Sequence, residues 1–189
     1  VDSVIQEQKA FGACQDVTLE YPVAENEGEE DNTYLSYNMV VGNAADSQMA
    51  MAFEVLDYAL LSAPGAPLKQ ALLDVKAGKD VYGSYDDGIL QPYFTVIAKG
   101  SNPDRKEEFV SVIRQVLGDI VKNGIDRKAV EAGINYFEFR YREADFSSYP
   151  KGLMYSLDIL GDWLYEKGNP FAQVQQLTVF EKLKKAVKI

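Results

Sequence analysis

The sequence predicts an α+β fold in which an antiparallel or mixed sheet carries helices on one face. Segments rich in aromatic and β-branched residues come in neighbouring pairs, and such pairs favour antiparallel strands. Segments with apolar residues at helical spacing lie between and after the two pairs. Of the 189 residues, 47% are hydrophobic, so a chain of this size can build a core of its own.

The first pair of predicted strands flanks an acidic loop. Val17, Leu19 and Tyr21 alternate with polar residues, and residues 33–41 are rich in aromatic and β-branched side chains. Between the two strands, residues 25–31 hold five carboxylates and lack the ligand spacing of a calcium loop. We therefore expect a β-hairpin whose acidic tip is exposed to solvent.

The segment before this hairpin has no hydrophobic period. Residues 1–14 are interpreted as a linker that leads into a single α+β domain at 15–189. The first residue is not methionine, and the last residue lies within a helical pattern. We therefore expect the chain to be a fragment of a longer protein.

Two helical segments are predicted after the first pair of strands. Asp46 or Ser47 can cap the first helix, because a short polar side chain accepts a hydrogen bond from a free backbone N–H at that position. The apolar face of this helix consists of Ala52, Phe53, Leu56, Ala59 and Leu60. Pro67 suits the first position of a second short helix, which ends near Gly78.

The second pair of predicted strands begins at Val81 and continues at residues 90–98, with a turn at 86–88. Pro92 favours an edge position or a bulge for the latter strand, because proline has no N–H to donate.

The rest of the chain is predicted to be helical. An amphipathic stripe spans residues 105–123, and a helix with an aromatic core face spans 127–145. We expect both helices to cover one face of the sheet. Further helices are predicted at 153–165 and around Phe180.

The absence of histidine excludes several classes of active site. A chain with no histidine has no Ser-His-Asp triad, no Cys-His pair and no histidine-based zinc site. Cys14 is the single cysteine, so it has neither a disulfide partner nor a histidine base, and we expect no role for it. One lone cysteine fits a reducing compartment, and we expect the cytoplasm, with an organelle matrix as the alternative in a eukaryote.

The charge distribution restricts the classes of partner. The formal net charge is −10, and residues 1–62 alone carry twelve acidic side chains and one basic side chain. Nucleic acid is therefore disfavoured as a partner, because phosphate binding needs a basic surface. Basic peptides are compatible with this charge. No apolar stretch approaches the roughly 18 residues of a membrane span, so no membrane partner is expected.

Several carboxylate and arginine side chains are of the types that form functional sites. Asp86 and Asp87 are adjacent carboxylates, but neighbours in a strand point to opposite sides, and a turn is favoured. Arg140 and Arg142 fit a charged outer helix face. The remaining hypothesis is a carboxylate-based enzyme that uses Asp86, Asp87 or Glu143. We assign no catalytic, cofactor-binding or metal-binding residue to this chain.

Five segments in order resemble one protease family. They are YPVAENE (21–27), NTYLSYNMVVG (32–42), LSAPGAPLKQALLD (61–74), GKDVYGSYDDGILQPYF (78–94) and FEFRYREADFSSYPKGL (137–153). Together they resemble the presequence-protease branch of the insulinase/pitrilysin zinc metallopeptidases. The resemblance is to the second, non-catalytic domain of the four homologous domains in that family.

The resemblance implies two bowl-like halves that enclose a peptide chamber. In the family, zinc is bound in the first domain by an inverted HxxEH motif and a distal glutamate, and substrate-contacting Arg and Tyr residues belong to the last domain. No position of this sequence matches either set, so no cofactor is expected in this chain and zinc is expected in the parent protein.

The resemblance also implies a function and partners. We expect a non-catalytic, chamber-forming domain of a zinc metalloendopeptidase that degrades short unfolded peptides. Its partners would be other domains of the same polypeptide and the peptide substrates of the parent enzyme. The alternative is a stand-alone peptide-binding or structural subunit without peptidase activity.

Overall fold

The computed structural model of the protein describes residues 5–144, 146–164 and 169–187. Within them, three strands form an antiparallel sheet: β1 (Thr33–Val40), β2 (Asp80–Asp86) and β3 (Tyr93–Ser101). The strand order is β1-β3-β2, so β3 is central and pairs with both of the others. Strand β3 begins directly after Pro92, three residues later than predicted.

Helices cover one face of this sheet, as the sequence predicts. The face carries the buried side chains Leu35, Val81, Phe94, Val96 and Ala98. The helical cover consists of α1 (Ser47–Asp57), a π-helical turn (Tyr58–Ser62), α2 (Pro67–Asp74) and α3 (Lys106–Asn123). The main core lies between the two layers and includes Leu61, Leu68, Leu72, Phe109 and Ile113.

Local sequence signals explain where these helices begin and end. The Asp46 carboxylate accepts a 2.9 Å hydrogen bond from the Met49 backbone N–H, so it caps α1 as predicted. Pro67 occupies the first turn of α2. Gly124, with φ of 85°, ends α3, because glycine adopts this backbone conformation without a steric penalty.

A further helical layer lies behind α1. Helix α4 (Arg127–Glu143) packs against α1, the π-helical turn and α6 (Leu177–Val187), instead of covering the sheet with α3 as predicted. This position follows from Gly133, where an added Cβ would lie 3.2 Å from side-chain atoms of Val55 and Tyr58. Because residue 133 has no side chain, α4 packs closely against α1 and the π-helical turn. A second core forms there around Val55, Ile134 and Phe180.

Helix α5 (Lys151–Leu164) has fewer contacts than its neighbours. A short 3-10 turn at Gln173–Gln175 is its principal contact. The predicted end of α5 at residue 165 and the predicted end of α4 at residue 145 both lie outside the described residues.

The predicted strand at 17–21 is wrong, and so is the hairpin across the acidic loop. Residues 17–21 have no backbone ladder, and Val17 and Leu19 are 72% and 83% exposed. Side-chain contacts connect this part of the chain to the rest of the domain. Asp16 pairs with Lys106, and the Tyr21 ring packs edge-on against the Tyr34 ring at a centroid distance of 5.8 Å. Alternation favours an extended backbone, but a strand also needs a partner, and no strand among the described residues pairs with 17–21.

No helix among the described residues is long and apolar enough to cross a membrane.

Candidate functional site

The structure separates the two adjacent carboxylates that the sequence singles out. Asp86 accepts hydrogen bonds from the Gly88 N–H at 3.0 Å and from the Tyr93 hydroxyl at 3.1 Å. The second bond raises the pKa of Tyr93. Asp87 instead accepts a 3.4 Å bond from the side-chain amide of Gln173. The two groups therefore serve different partners and do not form an acid–base pair.

The other sequence candidates also lie apart. Arg142 makes two hydrogen bonds to Glu138, at 3.0 and 2.7 Å, while Arg140 lies over the Tyr136 ring at 5.7 Å. Glu143 and Cys14 are exposed at separate places, at the end of α4 and in the segment before β1. Arg140 and Asp87 both lie near Glu54, whereas Arg142, Glu143 and Cys14 lie elsewhere.

Glu138 has a structural task that the sequence does not reveal. Its carboxylate also pairs with Lys184 of α6, so it joins α4 to α6. The hydrogen bond from Lys184, with that from Arg142, holds the pKa of Glu138 below its ordinary value. The ion pair between Glu138 and Lys184 thus links two helices of the second core.

The sequence patterns did not single out Glu54, a carboxyl group whose pKa is strongly raised in the folded chain. Burial, together with the nearby charge of Asp87, raises the pKa of Glu54 to about 7, although Arg140 acts in the opposite direction. A signal was present, because Glu54 lies within the apolar run of α1 and the sequence contains no Lys or Arg between Lys9 and Lys69.

Glu54 belongs to a larger carboxylate cluster, which consists of Glu54, Asp87, Asp158 and Asp162. Burial raises the pKa of Asp158, and the charges of Asp162 and Asp87 add to this effect. Asp162 is 1% exposed and accepts a 2.8 Å hydrogen bond from the Gln173 N–H. Burial, Asp87 and Glu54 also raise the pKa of the neighbouring Tyr85 to about 12.

This cluster can exchange a proton near neutral pH, because the pKa of one member lies there. Its members come from α1, the β2–β3 connection and α5. In the described ranges, no three His, Cys, Asp or Glu side chains are arranged to hold a metal ion.

Two surfaces are open to solvent and could contact a ligand or another domain. A groove of about 570 Å³ lies between α5 and the second core and is lined by Tyr141, Arg142, Tyr155, Ile159, Val174 and Leu177. The other surface is the open face of the sheet, opposite the helices. It carries aromatic, hydroxyl, amide, aliphatic and charged residues, of which Thr95 is buried: Tyr34, Ser36, Asn38, Val40, Asp80, Tyr82, Ser84, Asp86, Tyr93, Thr95, Ile97 and Lys99.

Comparisons with known proteins identify the family. Residues 5–137 match the family described as "Peptidase M16 inactive domain". Protein HypA of Clostridium perfringens is 41% identical over 187 residues, which are 99% of this chain and 19% of that protein. Presequence protease 1 of Arabidopsis thaliana is 29% identical over 184 residues, which are 96% of this chain and 17% of that protein. The chain thus spans about a fifth of the length of these curated relatives.

Solved structures share the fold at low sequence identity. The inactive peptidase domain of a zinc-protease-like protein from Bordetella parapertussis aligns with a TM-score of 0.60 and 13% identity, over 82% of this chain and 77% of that one. An M16-like peptidase from Alicyclobacillus acidocaldarius aligns with a TM-score of 0.56 and 18% identity, over 82% of this chain and 36% of that one. On the evidence of the match over residues 5–137, the chain belongs to the family of peptidase M16 inactive domains.

Proposed function

We propose that this chain is a non-catalytic domain of a zinc metalloendopeptidase that degrades short unfolded peptides, and that it walls the peptide chamber. The observation that carries the proposal is the one-sided sheet. Helices bury one face, whereas the opposite face remains open and carries hydroxyl, amide and aromatic groups. The names of two presequence proteases among the relatives support peptides as the substrate class.

The open face has the chemistry that a chamber wall needs. Tyr82 is 38% exposed on β2, and Ile97 lies opposite it on β3. The Thr95 hydroxyl is buried and donates a 2.8 Å hydrogen bond to the Asn38 side-chain oxygen, which links β3 to β1 on this face. Aromatic and hydroxyl groups contact many peptide sequences without selecting one, because they combine apolar area with adaptable hydrogen bonding.

The residues of this chain do not fit the zinc ion that the parent function needs. A catalytic zinc site uses three protein ligands, most often histidine, and this chain has no histidine and one cysteine. We therefore place zinc in another domain of the parent protein and derive no catalytic step here. Other domains of that polypeptide and its peptide substrates are the proposed partners.

The test compares the 189-residue chain with a longer polypeptide that contains it. The longer polypeptide should hydrolyse unfolded fluorogenic peptides, and a chelator should abolish this activity. The 189-residue chain should be inactive, and calorimetry should detect no stoichiometric zinc site of sub-micromolar affinity. Hydrolysis by the 189-residue chain in the presence of a chelator would show that the proposal is wrong.

Two matched variants of the longer polypeptide test the wall. Tyr82→Ala on the open face should raise KM for peptides about threefold to tenfold, because it removes contact area that binds substrate. Val121→Ala removes a side chain that is 86% exposed on α3, on the helical side, and should leave KM unchanged. Equal KM values for both variants would argue against the chamber wall.

A further inference from the structure

Helix α5 turns its charged side inward and its leucines outward. Asp158 and Asp162, the two carboxylates within residues 152–164, lie on the side that faces the body of the chain. The opposite side carries Leu153, Leu157, Leu160 and Leu164, at spacings of four, three and four residues that place them on one helical face. A helix at the edge of a water-soluble unit normally has the reverse arrangement.

The outer leucine face, defined as these four leucines with Trp163, is exposed. The five side chains are between 49% and 68% exposed. Every other exposed residue of 152–164 is uncharged, namely Gly152 and Ser156. Helix α5 therefore has apolar side chains on both sides, since Tyr155 and Ile159 line the inner groove. A contiguous exposed apolar patch of this kind marks an interaction surface.

We propose that the outer leucine face of α5 is a docking surface for an uncharged, apolar surface on another domain of the same longer polypeptide. The proposal rests on the proposed function, because that function supplies the longer polypeptide. It goes further by naming the surface and the chemistry of its partner. In the assembled protein, α5 would be enclosed between this domain and its neighbour.

The size of the face favours a partner in the same polypeptide over a second copy of the chain. Five half-exposed large side chains present on the order of 500 Å² of apolar surface, whereas a stable complex of separate chains buries about 800 Å² per partner. Contacts between domains of one polypeptide can be smaller, because the covalent link keeps the partner at a high effective concentration.

The extent of the similarity agrees with this assignment. The family match ends at residue 137, before α5, whereas the similarity to HypA covers 99% of the chain and therefore includes most or all of α5. That protein is about five times as long as this chain, since the aligned part is 19% of it. Segment 151–164 thus lies in a region shared with a long relative and outside the matched inactive domain.

Cysteine labelling of both forms of the protein tests the docking. In a Cys14→Ser background, Leu157→Cys is introduced into the 189-residue chain and into the longer polypeptide. Maleimide modification at position 157 is followed by mass spectrometry of the peptide that carries it. We expect modification to be at least about tenfold slower in the longer polypeptide, because a docked face is reached only by local opening. The control, Val121→Cys, should react at the same rate in both.

Hydroxyl-radical footprinting of Trp163 gives the same comparison without any substitution, so a variant that folds poorly does not obscure the result. Protection of both positions in the longer polypeptide alone supports the proposal. Equal reactivity in both forms, equal protection in both forms, or protection of the 189-residue chain that increases with its concentration would overturn it. The last outcome would assign the face to a second copy.

Peptidase activity of the same longer polypeptides separates this proposal from the proposed function. Zinc-dependent hydrolysis without protection at position 157 would overturn the docking surface and leave the function standing. Protection without zinc-dependent hydrolysis would overturn the function and leave the docking surface standing.

Discussion

The Oδ1 atom of Asp57 lies directly over Gly83, 2.3 Å from the position that a Cβ at Gly83 would occupy. This oxygen is buried and has no hydrogen-bond partner within the described residues. Burial raises the pKa of Asp57, although a hydrogen bond from Ser62 acts in the opposite direction. The end of α1 can therefore reach strand β2 only because residue 83 has no side chain.

We expect Gly83→Ala to destabilise the fold by about 1–3 kcal/mol. The added methyl group would lie 2.3 Å from both Asp57 Oδ1 and Leu61 Cδ1, so the helical layer would have to move away from the sheet. Urea unfolding measures the change in the free energy of unfolding. Gly118→Ala on α3 is the matched control, since nothing lies within 4 Å of its added Cβ. That variant should be up to about 1 kcal/mol more stable, because alanine favours helix. Equal stability of both variants would contradict the close approach.

The second core should depend on Phe180. This side chain is 1% exposed, and its ring centroid lies 5.9 Å from that of Tyr141. Phe180→Ala should lower the free energy of unfolding by about 3–5 kcal/mol, because it leaves a cavity between α4 and α6. Phe139→Ala is the control, since Phe139 is 64% exposed on α4, and its effect should be close to zero. Calorimetric melting of both variants checks the difference.

The parts of the fold that could be predicted from the sequence are those with local causes. Asp46, Pro67 and Gly124 act within one turn of their own helices, so the beginnings of α1 and α2 and the end of α3 follow from the sequence, whereas α2 ends at Asp74 and not near Gly78 as predicted. The strand expected at 17–21 failed because its formation depends on a pairing partner that the alternating pattern does not specify.

The candidate site was less predictable, because it also depends on residues that are brought together only by folding. The pKa of Glu54 depends on Asp87, which lies 33 positions away in the sequence and comes close only through folding. The pattern of α5 likewise shows two helical faces without indicating which one the body of the chain covers. The absence of histidine, in contrast, is a property of composition, and so the exclusion of histidine-based sites needed no structure.

The acidic loop leads to a prediction about peptide binding by the 189-residue chain. Glu25, Glu27, Glu29 and Glu30 are all exposed, while Asp31 pairs with Lys79 at 3.4 Å. We expect basic peptides to bind weakly and acidic peptides of equal length to bind less, because the exposed charges attract cations. Binding should fall steeply with salt, since charges in water are screened over roughly 8 Å at physiological ionic strength. Fluorescence anisotropy at two salt concentrations measures this. Equal affinity for both peptides would rule out steering by this loop.

The pH dependence of stability should report on Glu54. Its pKa of about 7 in the folded chain lies above its ordinary value of 4.5, so the folded state binds the proton more tightly than the unfolded state does. The free energy of unfolding should therefore decrease as the pH rises from about 4.5 to 7, and the loss is complete above the folded pKa. This loss should be on the order of 3 kcal/mol. Asp158 and Asp57, whose pKa values are also raised, contribute in the same direction.

Glu54→Gln should remove most of this dependence, because the amide keeps the shape of the side chain and cannot carry the charge that Asp87 opposes. The variant should exceed the parent chain in stability at pH 8 and match it near pH 4.5, as measured by urea unfolding across this range. Glu138 and Asp31, whose pKa values are lowered, change stability only at more acidic pH and in the opposite direction. Asp119→Asn, at an exposed position of α3, is the control and should preserve the slope. If Glu54→Gln keeps the slope as well, the proton is bound at another group.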